Sequence, residues 1–347
     1  MAEPRYRAGI IGLGFIGGAD QVSGDALGQK VENLDGTHLA ALSGHPRIQL
    51  VAGSSRDEGR RERFARRTGA AAYARWEEML AKERLDIVSV ATYAPFHAEM
   101  TCACAARGAR VVYCEKPIAT RLPDAERMVK ACDEAGALLV INHQRRFHPC
   151  YRKLQALIAS GGLGELTSAS LQWGNGRLGN VGTHMIDALC MLTGREVRAV
   201  SATLDLSGKP DCRGPQFSDP GGWGVFRLDD GLMVTMDAGD YGAVPARITI
   251  NGKLGRANTG GHDVTLEHWD GRREHWPRPD TNASSMDRAV AEIVAWLDEG
   301  TPFPYPARQN VPTLEAVVAC HASHARNAAW TGLPLCRADR DIEIRSG

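Results

Sequence analysis

Gly12-Leu13-Gly14-Phe15-Ile16-Gly17, directly after the apolar run Ala8-Gly9-Ile10-Ile11, decides the fold. A short apolar run closed by glycines reads as a buried strand. The six residues after it fit G-x-G-x-x-G. Gly12 permits a tight turn, Gly14 lets the backbone approach a pyrophosphate, and Gly17 allows a helix to pack closely on the strand. The amides where that helix starts, Phe15 and Ile16 included, are donors for phosphate oxygens.

Four more apolar runs lie at 48–52, 87–91, 110–114 and 138–141, with helix-like segments at 37–43, 58–68, 76–83, 98–107 and 123–135 between them. Near-continuous apolar strands alternating with helices predict a parallel sheet covered on both faces, an α/β Rossmann domain with a doubly wound sheet. The texture changes after residue 147. Runs at 167–173, 197–206, 222–228, 232–238, 246–251 and 264–269 alternate apolar and polar residues, with turn signals at Asp229-Asp230-Gly231 and Asn251-Gly252. That pattern predicts antiparallel strands, joined by helices at 183–192, 286–299 and 311–330. The expected organisation is a dinucleotide-binding domain over 1–147 and, over 148–347, an α+β domain with a large open, mostly antiparallel sheet.

The 347 residues suit two domains of roughly 100–200 residues each. Apolar residues at 43% and charged residues at 24% are ordinary for a globular protein. A formal net charge of +0 gives no basic stripe for nucleic acid. No apolar run reaches the ~20 residues of a membrane span. The opening residues run almost directly into the first strand, which leaves no room for a signal peptide. Nine cysteines without paired CxxC spacing read as reduced thiols. A cytoplasmic protein that binds neither nucleic acid nor membrane is the expectation.

Two features modify the phosphate loop. Residues 18–35 are polar and Gly-rich where a helix ordinarily continues, and read as an insertion, either a flap beside the dinucleotide or a surface loop. At the end of the second strand, where NAD binding expects an acid for the ribose hydroxyls, stand Ser55 and Arg56. A hydroxyl and a guanidinium suit a 2′-phosphate, which favours NADP over NAD. The competing reading leaves Arg56 solvated and gives the acid's task to Asp57.

The fourth strand ends in Cys114-Glu115-Lys116-Pro117, and ligands of doubly wound sheets bind outside the carboxyl ends of the strands. Lys116 is therefore placed to meet a nicotinamide, and Pro117 is a candidate cis residue. Farther on, a helix starting near Thr183 places His184 and Asp187 on one face. Arg145, Arg146 and His148 after the fifth strand are candidates for a polar substrate. Lys209, Asp211, Arg213 and Asp219 in the irregular loop 207–221 are further polar candidates. Cys320, His321 and His324 share helical spacing but lack a fourth ligand, so no metal is expected.

With GLGFIG, ATYAPFH at 91–97, EKP at 115–117, NHQRRFHP at 142–149 and GTHMID at 182–187 in order, the chain resembles the Gfo/Idh/MocA oxidoreductases. The resemblance implies catalytic roles for Lys116 and His184, and substrate contacts for Asn180, Asp187 and Arg146. It also implies that Thr92, Tyr93 and His97, with Glu115 and Lys116, border the dinucleotide. The family often carries Asp four residues before the histidine. Asn180 stands there instead, and an amide orients a hydroxyl but cannot shuttle a proton. The implied reaction moves a hydride between a nicotinamide and a secondary alcohol or ketone of a sugar, sugar derivative or cyclitol. His184 handles the proton and Lys116 stabilises the alkoxide. The implied partners are a small-molecule polyol and further copies of the chain, as a dimer or tetramer. Three alternatives are a redox-neutral NAD-dependent glycosidase or lyase, a non-enzymatic dinucleotide-binding regulator, and an oxidoreductase outside sugar chemistry, such as a diol, imine or bilin reductase.

Overall fold

Apolar runs become strands covered on both faces. In chain order the elements up to residue 141 are β1 (Tyr6–Ile11), α1 (Phe15–Gly18), α2 (Gln21–Asp25), α3 (His38–Gly44), β2 (Ile48–Ser54), α4 (Glu58–Thr68), β3 (Ala71–Tyr73), α5 (Trp76–Lys82), β4 (Ile87–Val90), α6 (His97–Ala106), β5 (Val111–Cys114), α7 (Leu122–Ala135) and β6 (Leu138–Ile141). Their sheet is parallel throughout, in the order β3-β2-β1-β4-β5-β6. Every residue of β4 and β5 is buried, which is why these strands read as near-continuous apolar runs, with Ser89 the polar exception in β4. The structure is a computed structural model that describes residues 6–207, 211, 214, 216–242, 244–279 and 282–346. Lys209 and Arg213 lie outside the described residues.

The remaining elements are α8 (Pro149–Ala159), β7 (Leu166–Gln172), α9 (Thr183–Thr193), β8 (Val197–Leu204), β9 (Gly222–Leu228), β10 (Met233–Ala238), β11 (Arg247–Gly252), β12 (Gly255–Gly260), β13 (Asp263–His268), β14 (Arg273–Trp276), α10 (Ser285–Glu299), α11 (Asn310–His324), β15 (Thr331–Gly332) and α12 (Arg337–Arg340). Nine strands form the second sheet, in the order β14-β13-β12-β11-β7-β10-β9-β8-β15. All neighbours are antiparallel except β7 and β10. Alternation sends Phe226, Val234, Met236, Ile248 and Ile250 into the core. Trp223 and Met233 are exposed at 40% each on the other face.

Two compact units result: residues 1–119, 124–144 and 281–308, and residues 120–123, 145–280 and 309–347. The expected single boundary at 147 thus gives way to a chain that returns. Helix α10 belongs with the first unit, where it packs on α3. Its fully buried stripe of Met286, Ala289, Val290 and Ile293 supplies the apolar face. Asp298 at its end accepts from Tyr6 Oη at 2.5 Å and Arg47 at 2.9 Å. An apolar stripe has the right period for any sheet, so periodicity alone cannot say which one it covers.

Other differences have similar local causes. β3 is three residues, too short to stand out as a run. β12 is Gly-rich and polar, and α8 begins at a proline. Helix α11 stops at His324, short of the expected residue 330, and Asn327 and Ala328 just beyond it adopt φ of 54° and 63°. Among the described residues no helix is long and apolar enough to cross a membrane. Among the described residues no disulfide joins two cysteines.

Candidate active site

The phosphate loop has the geometry its glycines require. Gly12 adopts φ +100°, and a Cβ there would stand 2.3 Å from the Ala91 carbonyl oxygen. A Cβ on Gly17 would lie 2.0 Å from the Gly12 carbonyl oxygen. A Cβ on Gly14 would meet only the Arg60 guanidinium, at 3.8 Å. The backbone at Gly14 is therefore open to close approach, the fit that a dinucleotide pyrophosphate demands. Gly12 N donates to Ser54 O at 2.9 Å, bringing the end of β2 beside the loop.

At that end Ser55 is partly exposed and Arg56 exposed. The Arg56 guanidinium lies over the Phe96 ring at 5.8 Å. Asp57 turns back to cap α4, its Oδ1 accepting from Arg60 N at 2.7 Å. After β4, Thr92 is partly exposed and Tyr93 exposed at 37%. His97 is fully buried, with Nδ1 2.9 Å from Pro117 O and Nε2 3.1 Å from Thr92 O. Burial lowers its pKa, outweighing the two carbonyls and Glu115. The neutral ring donates to one carbonyl at a time and ties the loops after β4 and β5 together.

The end of β5 carries a buried polar network. Glu115 Oε1 sits 2.9 Å from His38 Nε2 and accepts from Asn142 Nδ2 at 2.6 Å. Glu115 Oε2 accepts from Lys116 N at 3.3 Å. Tyr113 Oη donates to Asn142 Oδ1 at 2.7 Å, and Ser89 Oγ bonds His38 Nδ1. Burial alone would raise the Glu115 carboxyl. His38, by hydrogen bond and charge, then Lys116 and Asn142, outweigh that and pull it down to about 2. Lys116 follows, partly exposed, with a cis bond to Pro117. His38, Ser89, Tyr113 and Asn142 are the residues that the sequence reading passed over. One signal was available, since Ser89 is a hydroxyl inside a buried strand and such a group must be satisfied.

The second unit frames His184 separately. Arg177, at φ 61°, begins a π-turn over Leu178–Gly182 that runs into α9. Asp219 holds this turn, accepting from Gly179 N at 2.6 Å and Asn180 N at 2.8 Å. Burial raises its pKa despite those amides. Asp219 thus braces the segment that carries Asn180, and Asp211 lies 3.3 Å from Arg177. Trp173, 1% exposed, backs Gly182 and donates to Gly176 O at 2.6 Å. His184 is partly exposed in the first turn of α9, and Asn180 is 6% exposed.

Asp187, one turn along, is fully buried and takes Arg146 at two points, Nε to Oδ2 at 2.9 Å and NH2 to Oδ1 at 2.7 Å. Arg146 NH1 donates to Gln309 at 2.6 Å. The structure therefore brings Arg146 and Asp187 together and spends their charges on each other. The triplet on α11 is likewise accounted for. Cys320 is buried, His324 Nδ1 accepts from Leu204 N at 3.1 Å, and burial, then His324, lowers His321 to about 4. Among the described residues no three His, Cys, Asp or Glu side chains gather as a metal-binding group.

Comparison with known proteins gives consistent matches to both units. The model described as "Oxidoreductase family, NAD-binding Rossmann fold" matches residues 6–143, and that of the "GFO/IDH/MocA C-terminal domain" matches residues 167–258. A dTDP-3,4-didehydro-2,6-dideoxy-alpha-D-glucose 3-reductase of Actinomadura kijaniata is 29% identical over 182 residues, 48% of this chain and 54% of its own. The chain thus spans about half the length of that relative. Inositol 2-dehydrogenase 2 of Saccharopolyspora erythraea is 26% identical over 84% of each chain. The structure of the WlbA dehydrogenase from Bordetella pertussis, in complex with NADH and UDP-GlcNAcA, shares the fold at TM-score 0.75 and 23% identity, covering 96% of this chain and 100% of its own.

Proposed function

Because this chain belongs to the Gfo/Idh/MocA oxidoreductase family, with its NAD-binding Rossmann domain and its C-terminal domain, we propose that it is a nicotinamide-dependent dehydrogenase or reductase of secondary alcohols and ketones on sugars, sugar derivatives or cyclitols. The observation that carries the reading is the end of β5. A lysine sits there at the carboxyl edge of a doubly wound sheet, on backbone pinned by a buried carboxylate. The substrate class follows the names of relatives that act on a nucleotide-linked deoxysugar and on inositol.

The nicotinamide, when bound, accepts or supplies the hydride. The chain's own residues do the rest. The backbone from Gly12 to Gly17 carries the pyrophosphate, and the loop of Thr92 and Tyr93 flanks the dinucleotide. Glu115 fixes Lys116 as His97 fixes the neighbouring loops. An alcohol is a very weak acid, so a base must take its proton as the hydride leaves. His184 takes that proton. The Lys116 ammonium holds the hydroxyl and stabilises the developing alkoxide. The Asn180 side chain orients a substrate hydroxyl. Asp187 and Arg146 act as positioning residues, bracing α9 beneath His184.

We assign NADP as the preferred cofactor, on Ser55, Arg56 and the engagement of Asp57 as a helix cap. The chain is read as a cytoplasmic homo-oligomer whose second sheet supplies the interface, since a broad sheet face bearing Trp223 needs covering. The test is nicotinamide absorbance with NAD and NADP in parallel over monosaccharides, glycosides, nucleotide sugars and inositols. A rate confined to one polyol class is expected. Cofactor binding with turnover of substrate but no net nicotinamide change would replace this reading by redox-neutral chemistry.

A further inference from the structure

Residues 19–36 interrupt the helix that follows the phosphate loop, and they close onto α4. Asp20 is 4% exposed. It caps α2, accepting from Ser23 N at 3.1 Å and Ser23 Oγ at 2.5 Å. It also takes Arg63 at two points, Nε to Oδ1 at 2.6 Å and NH2 to Oδ2 at 3.0 Å. Arg67 donates to the carbonyls of Gly18 and Ala19. Gly24 lies so close to the Phe15 ring that a Cβ would stand 2.7 Å from it. At the far end Asp35 Oδ1 accepts from Ser285 N at 3.2 Å. The segment is anchored at both ends and across its middle.

One cation in this frame is placed differently. Arg60 Nε donates to Ser23 Oγ at 2.9 Å, and its NH1 stands 3.8 Å from the Cβ position of Gly14. Ser23 gives its own proton to Asp20, which leaves its oxygen lone pairs for Arg60. Arg61 spends NH1 on the carbonyls of Ser55 and Arg56, Arg63 is spent on Asp20, and Arg67 on the helix end. Among the described residues the terminal nitrogens of Arg60 have no hydrogen-bond partner, and the Arg56 guanidinium has only its stack on Phe96. Arg60 thus stands beside Gly14 at the end of β1, and Ser55 and Arg56 follow the end of β2, which the Gly12 amide joins to the same loop. Two guanidiniums with N–H groups to spare and one hydroxyl match a phosphate, whereas a ribose diol calls for a carboxylate.

Resting on the dinucleotide-binding reading above, we propose that the 19–36 insertion is a cofactor-selectivity device which, through Asp20 and Ser23, presents Arg60 to the 2′-phosphate of NADP. The insertion lends no group of its own to the cofactor. It fixes the direction of a guanidinium that would otherwise sample many rotamers, so less freedom is lost on binding.

Calorimetric titration of the full chain with NADP, NAD, 2′,5′-ADP and 5′-ADP tests this without turnover. Hydrogen bonds to a charged group contribute about 1.5–3 kcal/mol, roughly 10- to 150-fold in affinity. Arg60→Gln should weaken NADP and 2′,5′-ADP by about tenfold or more and leave NAD and 5′-ADP unchanged, and that unchanged binding also reports an intact fold. Ser23→Ala should show the same selectivity with a smaller loss, about three- to fivefold. Equal losses on all four ligands would place Arg60 at the adenosine 5′-phosphate that they share and overturn the proposal, as would no loss in Arg60→Gln. Loss in Arg60→Gln with none in Ser23→Ala would remove the insertion from the device. A wild-type chain that binds none of the four ligands would overturn the dinucleotide reading itself.

Discussion

His38 Nε2 lies 2.9 Å from Glu115 Oε1, with both side chains buried, and Glu115 Oε2 in turn accepts from the backbone of Lys116. A helix that begins beyond the insertion thus controls, through one carboxylate, where the lysine ammonium starts from. The carboxyl is held at about 2 against an ordinary 4.5. A depressed carboxyl stabilises the fold above its unfolded value, and that stability is lost as pH falls through its folded value. Wild type should therefore exceed Glu115→Gln by on the order of 3 kcal/mol at neutral pH, with the gap closing between pH 4.5 and 2. Urea unfolding of both proteins across that range checks this. A gap independent of pH would mean that the charge on Glu115 stabilises nothing.

Lys116→Ala separates chemistry from binding. The ammonium contributes where negative charge develops, so its removal should lower kcat by about 100- to 1000-fold. The dissociation constant for NADP, read by fluorescence, should stay within about twofold, because the pyrophosphate is carried by the glycine loop. Unchanged kcat would remove Lys116 from the reaction.

Much of this was legible because burial writes itself into composition. β1, β2, β4, β5 and β6 are each visible as an apolar run, since both faces of the sheet are covered. β3 escaped because Ala71–Tyr73 is a short edge strand. The place of Lys116 at the end of β5 was legible because the apolar run before it marks the strand. His38 was not. Its partner Glu115 lies 77 residues away, and the insertion separates it from the loop whose helix it continues. Asp187 shows the opposite case. Its spacing from His184 was correctly helical, but helical spacing does not reveal that Arg146 waits on the buried side.

The Arg146–Asp187 pair predicts a stability effect distinct from a substrate contact. Removing one partner of a buried pair leaves an uncompensated charge and costs about 3–5 kcal/mol. Asp187→Ala should therefore unfold at markedly lower denaturant, while the double variant Arg146→Met/Asp187→Leu recovers most of the loss. A variant Asp187→Ala with wild-type stability and a raised KM would instead place this carboxylate on the substrate.

His321 gives a second pH signature, on the other unit and in a different window. Its Nε2 is buried without a partner among the described residues, and burial, with His324 beside it, lowers it to about 4 from 6.5. The unfolded chain takes up a proton near 6.5 that the folded chain refuses until about 4, so protons pull toward unfolding across that interval. Stability should fall by on the order of 3 kcal/mol from this group as pH drops through the window. His97, also lowered by burial, adds a slope of its own. The quantity to read is therefore the difference between wild type and His321→Leu, measured by urea unfolding at intervals from pH 7 to 4. The variant should gain on wild type steadily as pH falls. Because the Glu115 effect lies below pH 4.5 and this one mostly above it, a titration series carried on down to pH 2 separates the two groups. Parallel curves for wild type and His321→Leu would show that His321 is as easily protonated in the folded chain as in the unfolded one.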